Sequence, residues 1–409
     1  MCSSDLAAYF LGVNRNKRSL TLNMAVDAGQ TILAGLIERA DVLIDNFRLG
    51  TLEKWGFTEE WFERRAPRLV RCAITGYGST GPKAQLPGYD FILQAESGLM
   101  SITGEVDGGP TKYGVAIVDV CTGMLACNAI LAALHARHDT GLGQKTEVSL
   151  YETSLAMLAN VASNVLVAGK GGGRFGNGHP SIVPYTTYHA ADGMIALAVG
   201  NDAQFAKCAA VLGHPEWTND ARFTQNRDRV VNRATVDAMI EDVLKTGPAD
   251  SWLEKFKAAG IPCGRINSVT QALADPQTQA RHMVETVTHP TIGDLKLPGI
   301  PIKFAGTPSS VRRPPPTLGQ HNDEILSELG IDEKKARTPG AGVRAGRLLS
   351  WLAVLLPGGV LLLLDRVAGT SFFIPGGLIV NDQVQGRSGG APLLFQHLFW
   401  FFEIGRAHV

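Results

Sequence analysis

From Ala28 to Ala40 apolar residues recur at helical spacing, and the pattern stops at Asp41. Val42-Leu43-Ile44 follows as an unbroken apolar run, as a strand covered on both faces of a parallel sheet requires. Asp45-Asn46-Phe47 then falls at its carboxyl end, where α/β folds bind ligands. A second run, Leu69 to Ile74, leads into the turn-rich stretch Thr75 to Pro82. Gly123 to His138 has helical spacing, and Lys145 to Leu150 alternates as a strand does. Ahead of these, Asn14 to Asn23 reads as a basic turn entering a short alternating strand. This strand–helix rhythm predicts an α/β layer architecture.

From Tyr185 to about His289 the pattern changes. Met194 to Val199 reads as a strand, followed by amphipathic helices at Asp202 to Leu212 and Arg233 to Leu244. A smaller inserted domain over 185–289 is therefore expected, between a large-domain segment at 7–184 and its return at 290–345. The return includes a strand candidate at Leu297 to Phe304 and a helix from Asn322. Beyond it, Leu348 to Leu364 contains no charged residue and approaches the length of a membrane span. Apolar blocks follow at Ser371 to Val380 and Ala391 to Phe402. A helix docked on the body is the ordinary explanation, but exposed apolar tails promote aggregation, so 346–409 reads rather as a foreign segment.

Composition narrows the function classes. Lysine plus arginine (38) equals aspartate plus glutamate (38), which argues against a nucleic-acid binder held by bulk electrostatics. With 45% hydrophobic residues in 409, the chain can bury a sizeable core. Cys2, Cys72, Cys121, Cys127, Cys208 and Cys263 are scattered, with neither zinc-site spacing nor a disulfide framework, which fits a reducing cytoplasm. No basic stretch followed by an apolar core opens the chain, so no signal peptide is expected, and the body of the chain is expected to have no membrane partner. Gly169 to Gly173 lacks dinucleotide-fingerprint spacing and no P-loop lysine follows it, leaving NAD binding and nucleotide hydrolysis without a motif.

Three ordered blocks carry a resemblance. The first is Val13 to Leu20 with Asp45-Asn46-Phe47 and Trp55-Gly56-Phe57. The second is Gly88-Tyr89-Asp90 through Gly104, Gly114 to Asp119, and Thr140 to Lys145. The third is Asn177 to Tyr185, with Gly260 to Gly264 and Leu318 to His321. Together they resemble class III CoA-transferases, over about Ala7 to about residue 340. The resemblance implies a Rossmann-like large domain with a smaller inserted α+β domain, here N-terminally truncated. The family's first strand, helix and adenine-contacting arginine would precede Asn14, so the chain as it stands is expected to bind CoA poorly. It also implies an interlocked homodimer with active sites between large and small domains. CoA thioesters enter as substrates, and no permanently bound cofactor or metal is expected.

By itself Asp119 would be a helix cap ahead of Gly123. The resemblance makes it the nucleophile that attacks a donor thioester, giving a mixed anhydride and then an aspartyl-CoA thioester. Asp90 stands where the family places an acidic residue near the nucleophile, in an orienting role, with turn capping as the plainer alternative. Met24, Asn46 and Lys54 match CoA-contact positions; Lys54 replaces an arginine and can still meet a phosphate as a point charge, whereas Ala25 replaces a lysine. Gly176-Asn177-Gly178-His179 belongs to the implied substrate loop, part of a glycine-rich stretch that a mobile loop would also explain. Arg174 is a candidate partner for an acceptor carboxylate.

Gly88 to Gly104, with Ser181 to Tyr185, is most similar to transferases moving CoA from succinyl-CoA to glutarate or hydroxymethylglutarate. An α-methylacyl-CoA racemase of the same fold is the nearest alternative, but those relatives carry histidine where Tyr89 stands. A free tyrosine titrates near about 10, poorly matched to α-proton transfer at neutral pH. An inactive CoA-binding scaffold and a membrane redox fragment are the alternatives of other classes. The last is suggested by the tail, where Leu361 to Arg366, Thr370 to Phe373 and Pro392 to Phe402 resemble cytochrome c oxidase subunit I. The chain departs at Glu403-Ile404 before that family's copper-binding histidine, so His397 is given no role. Cys2 to Leu6 and Glu403 to Val409 read as translated adaptor DNA, and 1–6 is set aside with the tail.

Overall fold

The computed structural model describes residues 8–331, together with three short strands, Leu361–Leu363, Ile379–Val380 and Gln383–Val384. Apart from those strands, the segments read as foreign, 1–6 and 346–409, lie outside the described residues.

The chain forms two compact units. The first gathers the residues up to Leu99, Tyr113–Ala162 and those from Gln277 onward; the second gathers Met100–Lys112 and Ser163–Pro276.

At the centre of the first unit is a parallel sheet of β1 (Val42–Asp45), β2 (Val70–Thr75) and β3 (Lys145–Ser149), in the order β3-β2-β1. Leu361–Leu363 pairs antiparallel along the outer edge of β1. Every residue of β1 is buried, the apolar run Val42-Leu43-Ile44 as a parallel strand requires and Asp45 at its carboxyl end as well. Val42 and Ile44 face one side with Val70, Cys72 and Ile74, while Leu43 faces the other with Leu33, Ile37, Phe57 and Phe62. Each such aliphatic side chain removed from water stabilises the fold by about 2 kcal/mol.

Three helices matter for the site: α1 (Asp27–Ile37), α2 (Asp90–Glu96) and α3 (Ile117–Thr140). The first side of the sheet is covered by α3 through Val118, Ala126, Ile130 and Ala133. By length and composition α3 is apolar enough to cross a membrane, but this stripe packs on the sheet as a core helix does. It ends where Gly141 takes a φ of 75°, the left-handed conformation that closes helices. The spacing predicts this helix only from Gly123; it begins at Ile117 and thereby takes in Asp119.

The basic turn proves to be an internal fastening. Asn14, Arg15 and Lys17 are all buried. Arg18 pairs with Glu324 at 2.8 Å and Glu328 at 2.7 Å, and Asn16 Oδ1 accepts the N–H groups of Arg312 and Arg313. Lys17 donates to Val13 O at 2.9 Å and Asn14 Oδ1 at 3.0 Å, and burial pushes its pKa down to about 7. The strand expected after this turn is an extended segment with one bridge residue, Leu22. The strand expected at Leu297 to Phe304 lies earlier, in a hairpin of β7 (Val284–His289) and β8 (Gly293–Pro298). Pro301, within the expected run, has no N–H to give a ladder.

In the second unit β4 (Tyr185–Ala190), β5 (Gly193–Ala198) and β6 (Cys263–Arg265) form an antiparallel sheet. Helices Asp202–Val211, Arg233–Leu244 and Ala249–Ala258 pack on it around Tyr188, Ile195, Phe205, Ile240 and Phe256. Arg229 is wholly enclosed there, donating to Val183 O and Phe223 O at 2.8 Å each and pairing with Asp202 at 2.8 Å.

Burial raises the Asp45 carboxyl from 3.8 to about 6, with Glu53 adding to the rise and the Phe47 N–H, Lys145 and Arg71 opposing it. A raised folded-state pKa stabilises fully below 3.8, and that contribution is lost as pH rises through about 6. Asp45→Asn should therefore stabilise the protein at pH 8 by up to about 3 kcal/mol and confer no gain near pH 4, read from urea unfolding at both pH values.

Candidate active site

Two glycines bring the site together. Gly76, leaving β2, passes so close to Gly88 that a Cβ on Gly88 would lie 2.4 Å from the Gly76 Cα. Only residues without side chains permit that crossing. It sets Tyr89 and Asp90 beside the carboxyl end of β2, with Leu93 of α2 anchored in the core against Ile74.

Since β2 and β3 run parallel, α3 must travel back along the sheet between them. Its N-terminus accordingly lies at the strands' carboxyl edge, the same edge as Asn46. Asp119 is in the first turn of α3 and is 3% exposed. A carboxylate there faces the positive end of the helix macrodipole.

No side chain at the N-cap position Ala116 caps α3. The cap comes from Asp90, whose Oδ1 accepts the N–H of Val118 at 2.7 Å and of Asp119 at 3.3 Å. Its Oδ2 accepts from Gln94 Nε2 at 2.5 Å, while Gln94 Oε1 accepts the N–H of Tyr113 at 2.8 Å. Asp90 thus caps the helix that carries Asp119. Tyr89 is the N-cap residue of α2 and directly precedes Asp90.

The CoA-contact candidates occupy the first unit as well. Met24 packs on the Leu43 side of the sheet with Leu52 and Trp55, which flank Lys54. Lys54 is exposed at the end of the short helix Thr51–Lys54, and Asn46 follows β1 directly. Next to Asn46 is a pocket of about 60 Å³ lined by Phe47, Arg48, Gly50, Arg71 and Lys145 among others.

In the second unit the stretch Gly176 to His179 is pinned by hydrogen bonds. Gly176 donates its N–H to Gly104 O at 3.0 Å, and a Cβ there would meet Glu105 Oε2 at 2.7 Å. Asn177 donates to Thr187 Oγ1 at 3.1 Å, and His179 N–H to Tyr185 O at 3.0 Å. His179 Nδ1 accepts the Ser181 N–H at 3.1 Å, so its ring proton in the neutral form sits on Nε2. Arg174 donates to Glu105 O at 3.2 Å and Gly108 O at 2.7 Å; its guanidinium fastens that turn.

A buried carboxylate at a helix N-terminus, held on a fixed backbone, is suited to nucleophilic attack on an activated carbonyl. The thiols are not: burial raises Cys72 to about 11 and Cys127 and Cys208 to about 12, and it raises Cys121, with Asp90 adding to the effect. Among the described residues no cluster of His, Cys, Asp and Glu could hold a metal ion.

The family model for CoA-transferase family III matches residues 2–322. The chain belongs to CoA-transferase family III. The match runs through residues 2–6, which the sequence reading set aside. A succinate–glutarate CoA-transferase of Agrobacterium fabrum is 40% identical over 333 residues, 81% of this chain and 82% of that protein. The succinyl-CoA:glutarate CoA-transferase of Homo sapiens is 37% identical over 323 residues, 79% of this chain and 74% of that one. A crystal structure of a CAIB/BAIF family protein from Brucella suis aligns with a TM-score of 0.71 at 40% identity, over 79% of this chain and 84% of that chain. The protein is a CoA-transferase with the α/β fold of its family.

Sequence reasoning about this CoA-transferase missed Gln94. The available signal was its spacing, since Asp and Gln four residues apart on a helix pair readily. Removing the Asp90 carboxylate should leave two buried N–H groups of α3 without their acceptor. Asp90→Ala is expected to lower stability by about 2 kcal/mol, and Asp90→Asn, which keeps one carbonyl acceptor, by less; urea titrations of both variants check this.

Proposed function

We propose that the protein moves coenzyme A from succinyl-CoA to a dicarboxylate acceptor such as glutarate, with Asp119 as nucleophile. One Asp119 oxygen attacks the thioester carbonyl carbon, the C–S bond breaks, and CoA leaves as a thiolate, giving a mixed succinyl–aspartyl anhydride. The thiolate attacks the aspartyl carbonyl and releases succinate, leaving CoA on Asp119 as a thioester. An acceptor carboxylate repeats the two steps in reverse and departs as the new acyl-CoA. The activation carried by the thioester is retained only if water is kept from the intermediates.

The observation that carries this reading is the burial of Asp119 in the first turn of α3, with its backbone tied to Asp90. High-pKa thiols favour a carboxylate over cysteine as the nucleophile. The choice of succinyl-CoA and a dicarboxylate draws support from the named activities of the relatives in Agrobacterium fabrum and Homo sapiens. An acetyl-CoA:oxalate CoA-transferase of Acetobacter aceti, 36% identical, also takes a dicarboxylate by name.

In this reading Met24, Asn46 and Lys54 contact CoA, Tyr89 lies beside the reacting acyl group, and Gly176 to His179 contact substrate. Arg174 uses Nε and one Nη2 N–H on backbone carbonyls, and its remaining N–H groups are candidates to meet an acceptor carboxylate. A homodimer is part of the proposal, supported by exposed apolar side chains on α2 and α3, Phe91, Met124, Leu125 and Leu131 among them. A reducing cytoplasm is supported by the free state of the five described cysteines. The tail from 346 has no part in catalysis here, since the family match ends at residue 322.

A transfer assay with succinyl-CoA and a panel of dicarboxylates tests the proposal. Asp119→Ala should lose turnover by about 10⁴-fold, and hydroxylamine added with succinyl-CoA should convert the Asp119 side chain to a hydroxamate, releasing CoA, in the wild-type chain and leave this variant unmodified. Turnover unchanged in Asp119→Ala would require another nucleophile.

A further inference from the structure

The amide of Gln94 lies next to Asp90, and its position is over-determined. Gln94 sits one turn beyond Asp90 on α2 and is 2% exposed. The Tyr113 N–H can only donate, so the Gln94 atom 2.8 Å from it is Oε1. That leaves Nε2 facing Asp90 Oδ2 at 2.5 Å. One side chain therefore holds both the segment leading from Tyr113 into α3 and the carboxylate that caps α3.

An aspartate carboxyl rotates in a broad torsional well, and anchoring at one oxygen does not fix its plane. In this site Oδ1 accepts from Val118 and Asp119 while Oδ2 accepts from Gln94. We propose that Gln94 is a positioning residue for CoA transfer, locking the rotation of Asp90 and through it the direction in which Asp119 presents its carboxylate. This rests on the reading of Asp119 as nucleophile. Misplacing a reacting group by about 1 Å can cost about 10²-fold in rate, so a lock two contacts removed from the chemistry suffices to matter.

Gln94→Glu tests the donor directly. While protonated, the introduced carboxyl can donate to Asp90 as the amide does, and its other oxygen can still accept from Tyr113. Once ionised it cannot donate, and the two carboxylates repel. The ratio of variant to wild-type kcat should therefore fall about 10-fold or more from about pH 5.5 to about pH 8.5, with the KM for succinyl-CoA changing less than about 3-fold. Gln94→Leu, which donates at no pH, should show a loss in kcat that does not vary with pH.

A Gln94→Glu ratio that is flat with pH overturns the proposal, as does a loss of activity that follows the variant's thermal unfolding measured at the same pH values. Asp119→Ala is run in the same assay. If it retains wild-type turnover, the nucleophile reading and this inference both fall; if it is inactive while the Gln94→Glu ratio stays flat, only the role of Gln94 falls.

Discussion

The N-terminus of α3 has buried donors and no cap of its own, and the contact that resolves this lies at the candidate site. A helix leaves its first N–H groups without intrahelical partners, and in a dry interior each such group costs free energy unless an acceptor meets it. Asp90 meets those of Val118 and Asp119 from a different helix. The same acceptor ties α2 to α3, orients the Asp119 backbone and takes a further hydrogen bond from Gln94. Stability and site geometry are thus carried by one buried carboxylate.

Other parts of the architecture serve that contact. The close crossing of Gly76 and Gly88 lets α2 begin beside the end of β2. The parallel pairing of β2 with β3 turns α3 so that its first residues return to the carboxyl edge of the sheet. Farther along, the Asn14–Arg18 turn binds the chain's return through Arg18 with Glu324 and Glu328, and Asn16 with the backbone at Arg312 and Arg313. In the second unit arginines do similar work on carbonyls: Arg229 holds Val183, and Arg233 donates to His179 O at 2.7 Å. Charged side chains in this protein are used as buried fasteners as well as surface groups.

In the proposed mechanism the choice of nucleophile follows from what the intermediates must do. A carboxylate can hold an acyl group as an anhydride and then CoA as a thioester, and both retain enough activation to be passed on. Burial raises the thiols to about 11 or 12, which disfavours them as nucleophiles at neutral pH. In that proposal, placement of Asp119 at a helix N-terminus favours the charged carboxylate before attack.

Local periodicity determined much of the fold. The apolar run Val42-Leu43-Ile44 of β1, the α1 spacing, the alternation of β3 and the helices at Asp202–Val211 and Arg233–Leu244 follow from short-range patterns that each element must satisfy wherever it packs. The ordered motif blocks likewise pointed to the family and singled out Asp119. Tertiary structure alone decided where α3 begins, because its cap is Asp90, distant in sequence. It alone revealed that Gln94 completes the network, that the Asn14–Arg18 cations are buried fasteners, and that Arg174 holds a turn. Hydrophobic spacing records which face of an element is covered, whereas a hydrogen-bond partner brought in from a remote segment leaves no periodic trace in the chain.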